Sequence, residues 1–424
     1  MAFYLGLDFG TSGARTVVID EQKTIQAQQQ CPFDSQADEV KQWHDALFFL
    51  LESIPREVKE KVARIAINGT SATVLLCDRA GVPLTSPLLY RDRVPDAIIP
   101  TLQQIAPSDQ VVQSASSSLA KLLYWQQQDI FSQAHYFLHQ ADWLASLLHS
   151  KLGISDYHNA LKLGYDVQHL CYPQWLQNLA SFSILPQVLP PGTSVGTITP
   201  DIAQRFHFSP ECEVVTGTTD SIAAFIASGA TQPGEAVTSL GSTLVLKLLS
   251  ETPVQDTQSG VYSHRFGNLW LTGGASNTGG AVLKHFFSDE QLKALSQQID
   301  PTQPTTLNYY PLLEAGERFP INDPNLPPQL SPRPENDVIF LQGLLESIAR
   351  IEAQGYQKLQ KLGATLLKHV YTAGGGAKNQ VWQTIREQAL QVPVQRSHNT
   401  DAAYGTAQLA RLNHQFKRNP CCIR

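Results

Sequence analysis

Two hydrophobic periods alternate along the first part of the chain. Tyr4 to Asp8 and Ala14 to Asp20 are strand-like runs on either side of the turn Phe9-Gly10-Thr11-Ser12-Gly13, which predicts a β-hairpin. Val40 to Leu51 repeats its apolar positions at helical spacing, and the short apolar runs Val62 to Ile67 and Thr73 to Cys77 read as buried strands. That alternation of strand and helix implies a largely parallel sheet, and so an α/β fold for the N-terminal half. Between residues 119 and 152, Leu119, Leu122, Leu123, Trp143, Leu144, Leu147 and Leu148 fall at helical spacing and predict helices packed on that sheet.

A second half begins after Val214-Val215, where a strand gives way to Thr216-Gly217-Thr218-Thr219-Asp220 and an Ala-rich helix running to Gly229. Ala236 to Lys247 then repeats the pattern of the opening residues: a strand, the turn Gly241-Ser242-Thr243 and a second strand. The repetition predicts two related α/β lobes. Pro-rich, irregular sequence from Pro301 to Pro334 reads as a surface excursion, and helical periodicity resumes from Phe340 to Leu362.

Composition narrows the partners. The chain has 424 residues, 42% of them apolar and 16% charged, which suits a globular protein of two or three domains. Lys plus Arg (31) against Asp plus Glu (37) leaves a net charge of −6, with no basic surplus for a nucleic acid partner. No run approaches the roughly 18 apolar residues of a spanning helix, so no membrane partner is expected. The first residues lack the basic leader of a secretory signal. Cys31, Cys77, Cys171 and Cys212 are scattered without metal-ligand spacing, as reduced thiols in a cytoplasmic protein would be, and Cys421 and Cys422 read as part of an untethered tail. Nothing in the composition indicates an oligomeric state.

Three Gly/Thr/Ser-rich turns sit at strand ends, at residues 9–13, 241–243 and 373–376. Such turns expose backbone N–H groups to anionic oxygens. Neither G-x-x-x-x-G-K-[ST] nor G-x-G-x-x-G occurs, which excludes P-loop and Rossmann nucleotide sites. Asp8-Phe9-Gly10 spells the magnesium motif of protein kinases, but no lobe precedes it and no His-Arg-Asp loop follows. Asp8 at a strand-to-turn junction suits a carboxylate that holds hydrated Mg²⁺ through water while Thr11 and the turn amides meet a γ-phosphate. It suits a turn-capping Asp equally. Asp220, between a strand end and an apolar helix, fits a helix N-cap and also a base that takes the proton of a substrate hydroxyl.

Taken together these segments resemble the FGGY carbohydrate kinases, within the actin-like ATPase superfamily, over nearly the whole chain. Leu5-Gly-Leu-Asp-Phe-Gly-Thr-Ser12 resembles the family's first phosphate motif, and Val214-Val-Thr-Gly-Thr-Thr-Asp220 the stretch ending in its catalytic aspartate. Pro233 to Thr243 resembles the second phosphate motif, Thr372 to Trp382 the adenosine motif, and Ala403-Tyr-Gly405-Thr-Ala407 the closing helix. The resemblance implies two ribonuclease-H-like (actin-like ATPase) α/β lobes with a central cleft. A sugar-binding lobe would span residues 1–228, a nucleotide-binding lobe 229–400, and a closing helix and tail 401–424. It further implies ATP and Mg²⁺ as cofactors and a small sugar as substrate. Asp220 would be the general base, Asp8 the water-mediated metal residue, and Thr11 the γ-phosphate contact; Asp8, Ser71 and Asp220 would touch the sugar. Gly10, Thr11, Ser12, Gly241, Ser242, Thr243, Gly274 and Asn277 would line the phosphates, and Gly375, Gly376, Asn379 and Trp382 would frame the adenosine. Trp382 would offer the purine a flat apolar face.

Departures from the family pattern bear on the acceptor. Where xylulokinases have Gln-Met-His-Gly, this chain has Thr70-Ser71-Ala72-Thr73, and Val94 in Tyr90-Arg91-Asp92-Arg93-Val94 replaces the arginine of an aromatic-x-Asp-x-Arg pattern. Arg91 or Arg93 could compensate or simply be solvated. The shortness of the chain resembles the compact ribulose or xylulose kinase-like proteins of cyanobacteria and plants. The implied reaction is transfer from ATP to the terminal hydroxyl of a ketopentose, D-ribulose first. The alternatives are D-xylulose, glycerol or another polyol, and a non-catalytic ATPase or sugar sensor.

Overall fold

The computed structural model describes residues 1–412; Cys421, Cys422 and the rest of 413–424 lie outside the described residues. Two compact units divide the chain: residues 1–227 with the segment from Asp401 onward, and residues 228–400.

In the first unit, β1 (Phe3–Phe9) and β2 (Gly13–Ile19) form the predicted hairpin, closed by a hydrogen bond from the Gly10 N–H to the Gly13 carbonyl at 3.0 Å. β3 (Ile25–Pro32) adds antiparallel to β2 as a largely exposed edge. The helix Glu39–Ser53 starts at the Asp38 cap, whose carboxylate accepts from the Lys41 N–H at 2.8 Å. Its Trp43, Ala46, Leu47, Leu50 and Leu51 recur at helical spacing and are buried, each fully covered side chain contributing about 1.5–3 kcal/mol. β4 (Val62–Gly69) runs parallel to β1. β5 (Val74–Cys77) departs from the expected parallel sheet, because it pairs antiparallel with β6 (Tyr136–His139) in a sheet of two strands. β6 also divides the expected helical region into the helices Ser118–Gln126 and Gln140–His149. β7 (Ile154–Asp156) and β8 (Gln187–Leu189) form another small pair. β9 (Ser194–Thr197), β10 (Glu213–Val215) and the two-residue β11 (Thr218–Thr219) complete the main sheet, ordered β3-β2-β1-β4-β10-β9 with β11 also on β4. Helix Ala402–Arg411 returns to this unit and lies against β1, where Gly6 leaves room for its backbone.

The second unit repeats the plan. β12 (Glu235–Leu240) and β13 (Leu244–Ser250) are the antiparallel hairpin foreseen in the repeat. β14 (Tyr262–Phe266), β15 (Leu269–Ser276), β16 (His369–Ala373) and β17 (Val394–Arg396) complete a sheet ordered β14-β15-β13-β12-β16-β17. As in the first unit, the hairpin's first strand has an antiparallel neighbour on one side and a parallel one on the other. Helices Asp337–Lys361 and Gln380–Leu390 cover it. The segment 301–334 is not wholly a surface excursion: Tyr309, Tyr310, Leu312 and Phe319 enter the core, and Glu317 is buried. Among the described residues no helix is long and apolar enough to cross a membrane.

Candidate active site

Register gathers the polar ends of three parallel strands. Asp8 on β1 stands opposite Asn68 on β4, and Asn68 opposite Thr218 on β11; Asp220 follows two residues later as the first residue of the helix Asp220–Ser228. The apolar strand bodies fix this spacing, since a slip of one residue would turn Asp8 to the other face. The Thr218 hydroxyl is hydrogen-bonded to the buried His158 ring at 2.7 Å, and the Asn68 amide donates to the Thr406 hydroxyl at 2.6 Å, tying β11 and β4 into the interior.

The Asp8 carboxyl is pushed up to about 7, first by burial and then by the neighbouring carboxylates of Asp220 and Asp401. Arg15, opposite Asp8 on β2, and the Asn68 side chain pull the other way without offsetting this. Three buried oxygens here have no hydrogen-bond partner among the described residues: Asp8 Oδ1, Asn68 Oδ1 and Thr219 Oγ1. Buried acceptors without donors cost free energy unless something supplies hydrogens or positive charge. A cation carrying its own water shell would supply both, and Mg²⁺ keeps several waters rather than an all-protein cage. Asp8 and the unpartnered oxygens beside it fit that form of binding, since they offer acceptors to a cation's waters.

Beside these strand ends lies a cavity of about 280 Å³. Gly10, Thr11 and Ser12 border it from the hairpin turn, Thr70, Tyr90 and Arg91 from the opposite loops, and Gln140 from the start of the helix Gln140–His149. Glu39 and Gln42 of the first helix also face it. Gln140 Oε1 accepts from both the N–H and the hydroxyl of Thr70, at 2.9 and 3.1 Å. Ser71 is half-buried in the 70–73 loop and is not among the residues bordering the cavity.

In the second unit the turn 241–243 is held by Gly280 and Ala281, whose N–H groups donate to the Gly241 and Ser242 carbonyls at 2.8 and 3.1 Å. Gly374 (φ 82°) lies so close to β12 that a Cβ there would sit 2.6 Å from the Leu240 carbonyl oxygen. Gly375, next along, has nothing within 4 Å of an added Cβ among the described residues. These two turns therefore end neighbouring parallel strands, β12 and β16. Below them a buried ion pair clamps the same strands. Arg386 donates to Glu352 at 2.6 and 2.7 Å and to the Thr372 hydroxyl at 2.6 Å, while the Thr238 hydroxyl donates to Glu352. Thr238 and Thr372 are register partners.

Four expected nucleotide contacts have other partners. Trp382 is 2% exposed within the core and donates from its ring to the Leu345 carbonyl at 3.1 Å, so it offers no face to a purine. Asn379 caps the following helix, accepting from the Trp382 N–H at 3.1 Å and donating to Ser296 at 2.9 Å. Gly274 makes room for the Phe319 ring, which would be 2.5 Å from an added Cβ. Asn277 is exposed at the end of β15, with its amide donating to the Gly316 carbonyl at 2.9 Å. Asn68, Gln140, Asp401 and the clamp are functional candidates that sequence reasoning missed. Their one sequence signal is a polar residue placed against an apolar run.

Family profiles match the two units in turn: the N-terminal domain of the FGGY family of carbohydrate kinases over residues 3–227, and its C-terminal domain over 236–413. The chain belongs to the FGGY family of carbohydrate kinases. It is thus an ATP-dependent sugar kinase with the two-lobed, actin-like ATPase fold of that family. A xylulose kinase of Bacillus subtilis is 23% identical over 97% of this chain and 88% of its own length. A ribulokinase of Halalkalibacterium halodurans is 24% identical over 59% of this chain and 53% of its own length. Among solved structures, a Brucella ovis xylulose kinase superposes with a TM-score of 0.84 at 23% identity, covering 96% of this chain and 90% of that one. A Plasmodium falciparum glycerol kinase with ADP reaches 0.84 at 16% identity, covering 97% and 89%. FGGY relatives of this kind thus carry several acceptor names on one fold.

Proposed function

We propose that this FGGY kinase transfers the γ-phosphoryl group of ATP to the terminal hydroxyl of a ketopentose, D-ribulose ahead of D-xylulose, with Mg²⁺ as the metal. The observation that carries the reading is the register of β1, β4 and β11, which sets Asp8, Asn68 and Asp220 close together at the strand ends, while the turn Gly10 to Ser12 after β1 and Thr70 after β4 border the cavity. Asp220 accepts the proton of the acceptor hydroxyl as that oxygen attacks phosphorus. A bond forms from the acceptor oxygen to the γ-phosphorus, the bond from that phosphorus to the β,γ-bridging oxygen breaks, and ADP leaves. Asp8, with the unpartnered oxygens of Asn68 and Thr219, would hold the metal through water, and bound Mg²⁺ would neutralise phosphate charge. In the first unit, Thr11 with the 10–12 turn suits a γ-phosphate. In the second unit, the 241–243 turn with Gly375 and Gly376 suits a nucleotide. Thr70 and Gln140, which border the cavity, contact the sugar. The 70–73 loop lacks the xylulokinase-type histidine, and D-ribulose and D-xylulose differ only in configuration at C3, so small hydroxyl groups there favour the other epimer. The reaction belongs in the cytoplasm, where ATP and reduced thiols coexist.

ADP release measured with ATP and Mg²⁺ across D-ribulose, D-xylulose, L-ribulose, glycerol and no sugar tests this. Stimulation is expected to be largest with D-ribulose. Asp220→Ala should lower it by about 10²- to 10⁴-fold, and lower sugar-independent release less. Equal release from every tube, or equal loss of both activities in a folded variant, would overturn the reading.

A further inference from the structure

Lys121, on the helix Ser118–Gln126, is fully buried, and among the described residues no carboxylate lies in ion-pair distance of it. An ammonium in that position is costly unless its hydrogens find acceptors. Its Nζ donates to the carbonyls of Ala72 at 2.8 Å and Leu89 at 2.6 Å. These acceptors belong to the two segments that wall the cavity opposite the hairpin turn, 70–73 and 89–92.

The two segments need such a tie. Ala72 sits in the left-handed region at φ 63°, where a side chain is strained. A bridge between Val74 and Leu88 joins the segments at their base. Nearer the cavity, Thr73 Oγ1 accepts from the Tyr90 N–H at 2.9 Å, and Asp92 accepts from the Leu89 N–H at 2.7 Å. Lys121 spans both segments from behind, and Asp92 favours its charged form, although burial pulls its value down to about 8.

We propose that Lys121 is a positioning residue for acceptor selection: its ammonium pins the Ala72 and Leu89 carbonyls, so that Thr70, Tyr90 and Arg91 present one fixed surface to the sugar. This rests on the reading of the cavity as the acceptor site of a ketopentose kinase. A pin of this kind acts on the acceptor alone, because neither segment belongs to the nucleotide turns of the second unit. Misplacement of positioning groups by an ångström costs on the order of 10²-fold in efficiency.

The test is steady-state kinetics of wild type, Lys121→Met and Asp92→Ala with D-ribulose and D-xylulose, beside amide hydrogen exchange at 70–74 and 88–92. Lys121→Met should raise the acceptor KM about 10- to 100-fold. Discrimination between the two sugars should narrow and exchange in both segments should quicken, with the KM for ATP and the sugar-independent ADP release unchanged. Asp92→Ala, at a half-buried position that loosens the same segment, should shift the acceptor KM in the same direction by less, and it carries the test if Lys121→Met does not fold. Acceptor KM values equal to wild type in a folded variant would overturn the proposal alone, as would a uniform loss of kcat that leaves both KM values in place. Failure of the kinase reading shows earlier and separately, as a wild type that no sugar stimulates, and takes the proposal with it.

Discussion

Replacing Asp8 by Asn should abolish sugar phosphorylation and at the same time stabilise the ligand-free protein. Burial, with the charges of Asp220 and Asp401, lifts the Asp8 carboxyl from 3.8 to about 7. A carboxyl whose value is higher folded than unfolded makes its ionisation a cost of the folded state. That cost is absent below about pH 4, grows between about 4 and 7, and is complete above 7. At about 1.36 kcal/mol per pH unit, a rise of about 3 units corresponds to roughly 4 kcal/mol at pH 8 and roughly 1.5 kcal/mol at pH 5. The side chain is only 8% exposed, so solvent screening takes little from these figures. Asn keeps the shape of Asp and removes the charge. The assay is the melting temperature of wild type and Asp8→Asn, with chelator present, at pH 5 and pH 8. At about 2–4 °C per kcal/mol for a unit of this size, the variant should melt on the order of 10 °C higher at pH 8 and only a few degrees higher at pH 5. Saturating Mg²⁺ and ADP should then reverse the order at pH 8, because only wild type gains the metal's binding free energy. A variant that melts at or below wild type at pH 8, or that gains equally at both pH values, would refute the claim that Asp8 is held ionised against its surroundings for a cation.

Sugar phosphorylation at low Mg²⁺ should rise as pH passes upward through about 7, because Asp8 must lose its proton to face a cation; raising Mg²⁺ should move that limb to lower pH, and a limb insensitive to Mg²⁺ would detach Asp8 from the metal. Glu352→Gln leaves the buried Arg386 without its counter-charge and should cost about 3–5 kcal/mol, seen as a lowered melting temperature. Pairing Glu352→Leu with Arg386→Met should recover most of that loss, and a double variant less stable than either single one would contradict the clamp. Gly6→Ala places a methyl 2.2 Å from the Ala403 carbonyl oxygen and should cost about 1–3 kcal/mol or more in urea unfolding, whereas Gly375→Ala, which meets nothing within 4 Å, should leave stability unchanged.

What the sequence discloses depends on how local each constraint is. The hairpin about residues 9–13, the helix over 40–51 and the second hairpin at 236–247 are legible because turn chemistry and hydrophobic period decide them within a dozen residues. β3 is not: its Gln-rich segment Ile25–Pro32 lies on an exposed edge, so no buried face imprints alternation on it. β5 reads correctly as a strand and wrongly as a member of the parallel sheet, since pairing partners are set by distant residues. Trp382 shows the same limit at a site. An aromatic side chain after a glycine turn suits a ligand face or a core equally, and the Leu345 carbonyl on a separate helix decides for the core.

Asn68 carries this furthest. Within its own strand it is only a polar residue after an apolar run, as Asp8 is only the polar end of a strand and Asp220 only the start of a helix. Their chemistry arises from the registers β1–β4 and β4–β11, which are set by the side chains of Leu5, Leu7, Ile65 and Ile67, all buried. The burial that fixes those registers is also what leaves Asp8 Oδ1 and Asn68 Oδ1 without partners and drives the Asp8 carboxyl upward. Core packing and site electrostatics are therefore one constraint in this unit. A core substitution that shifts β1 against β4 should change metal dependence before it changes the overall fold.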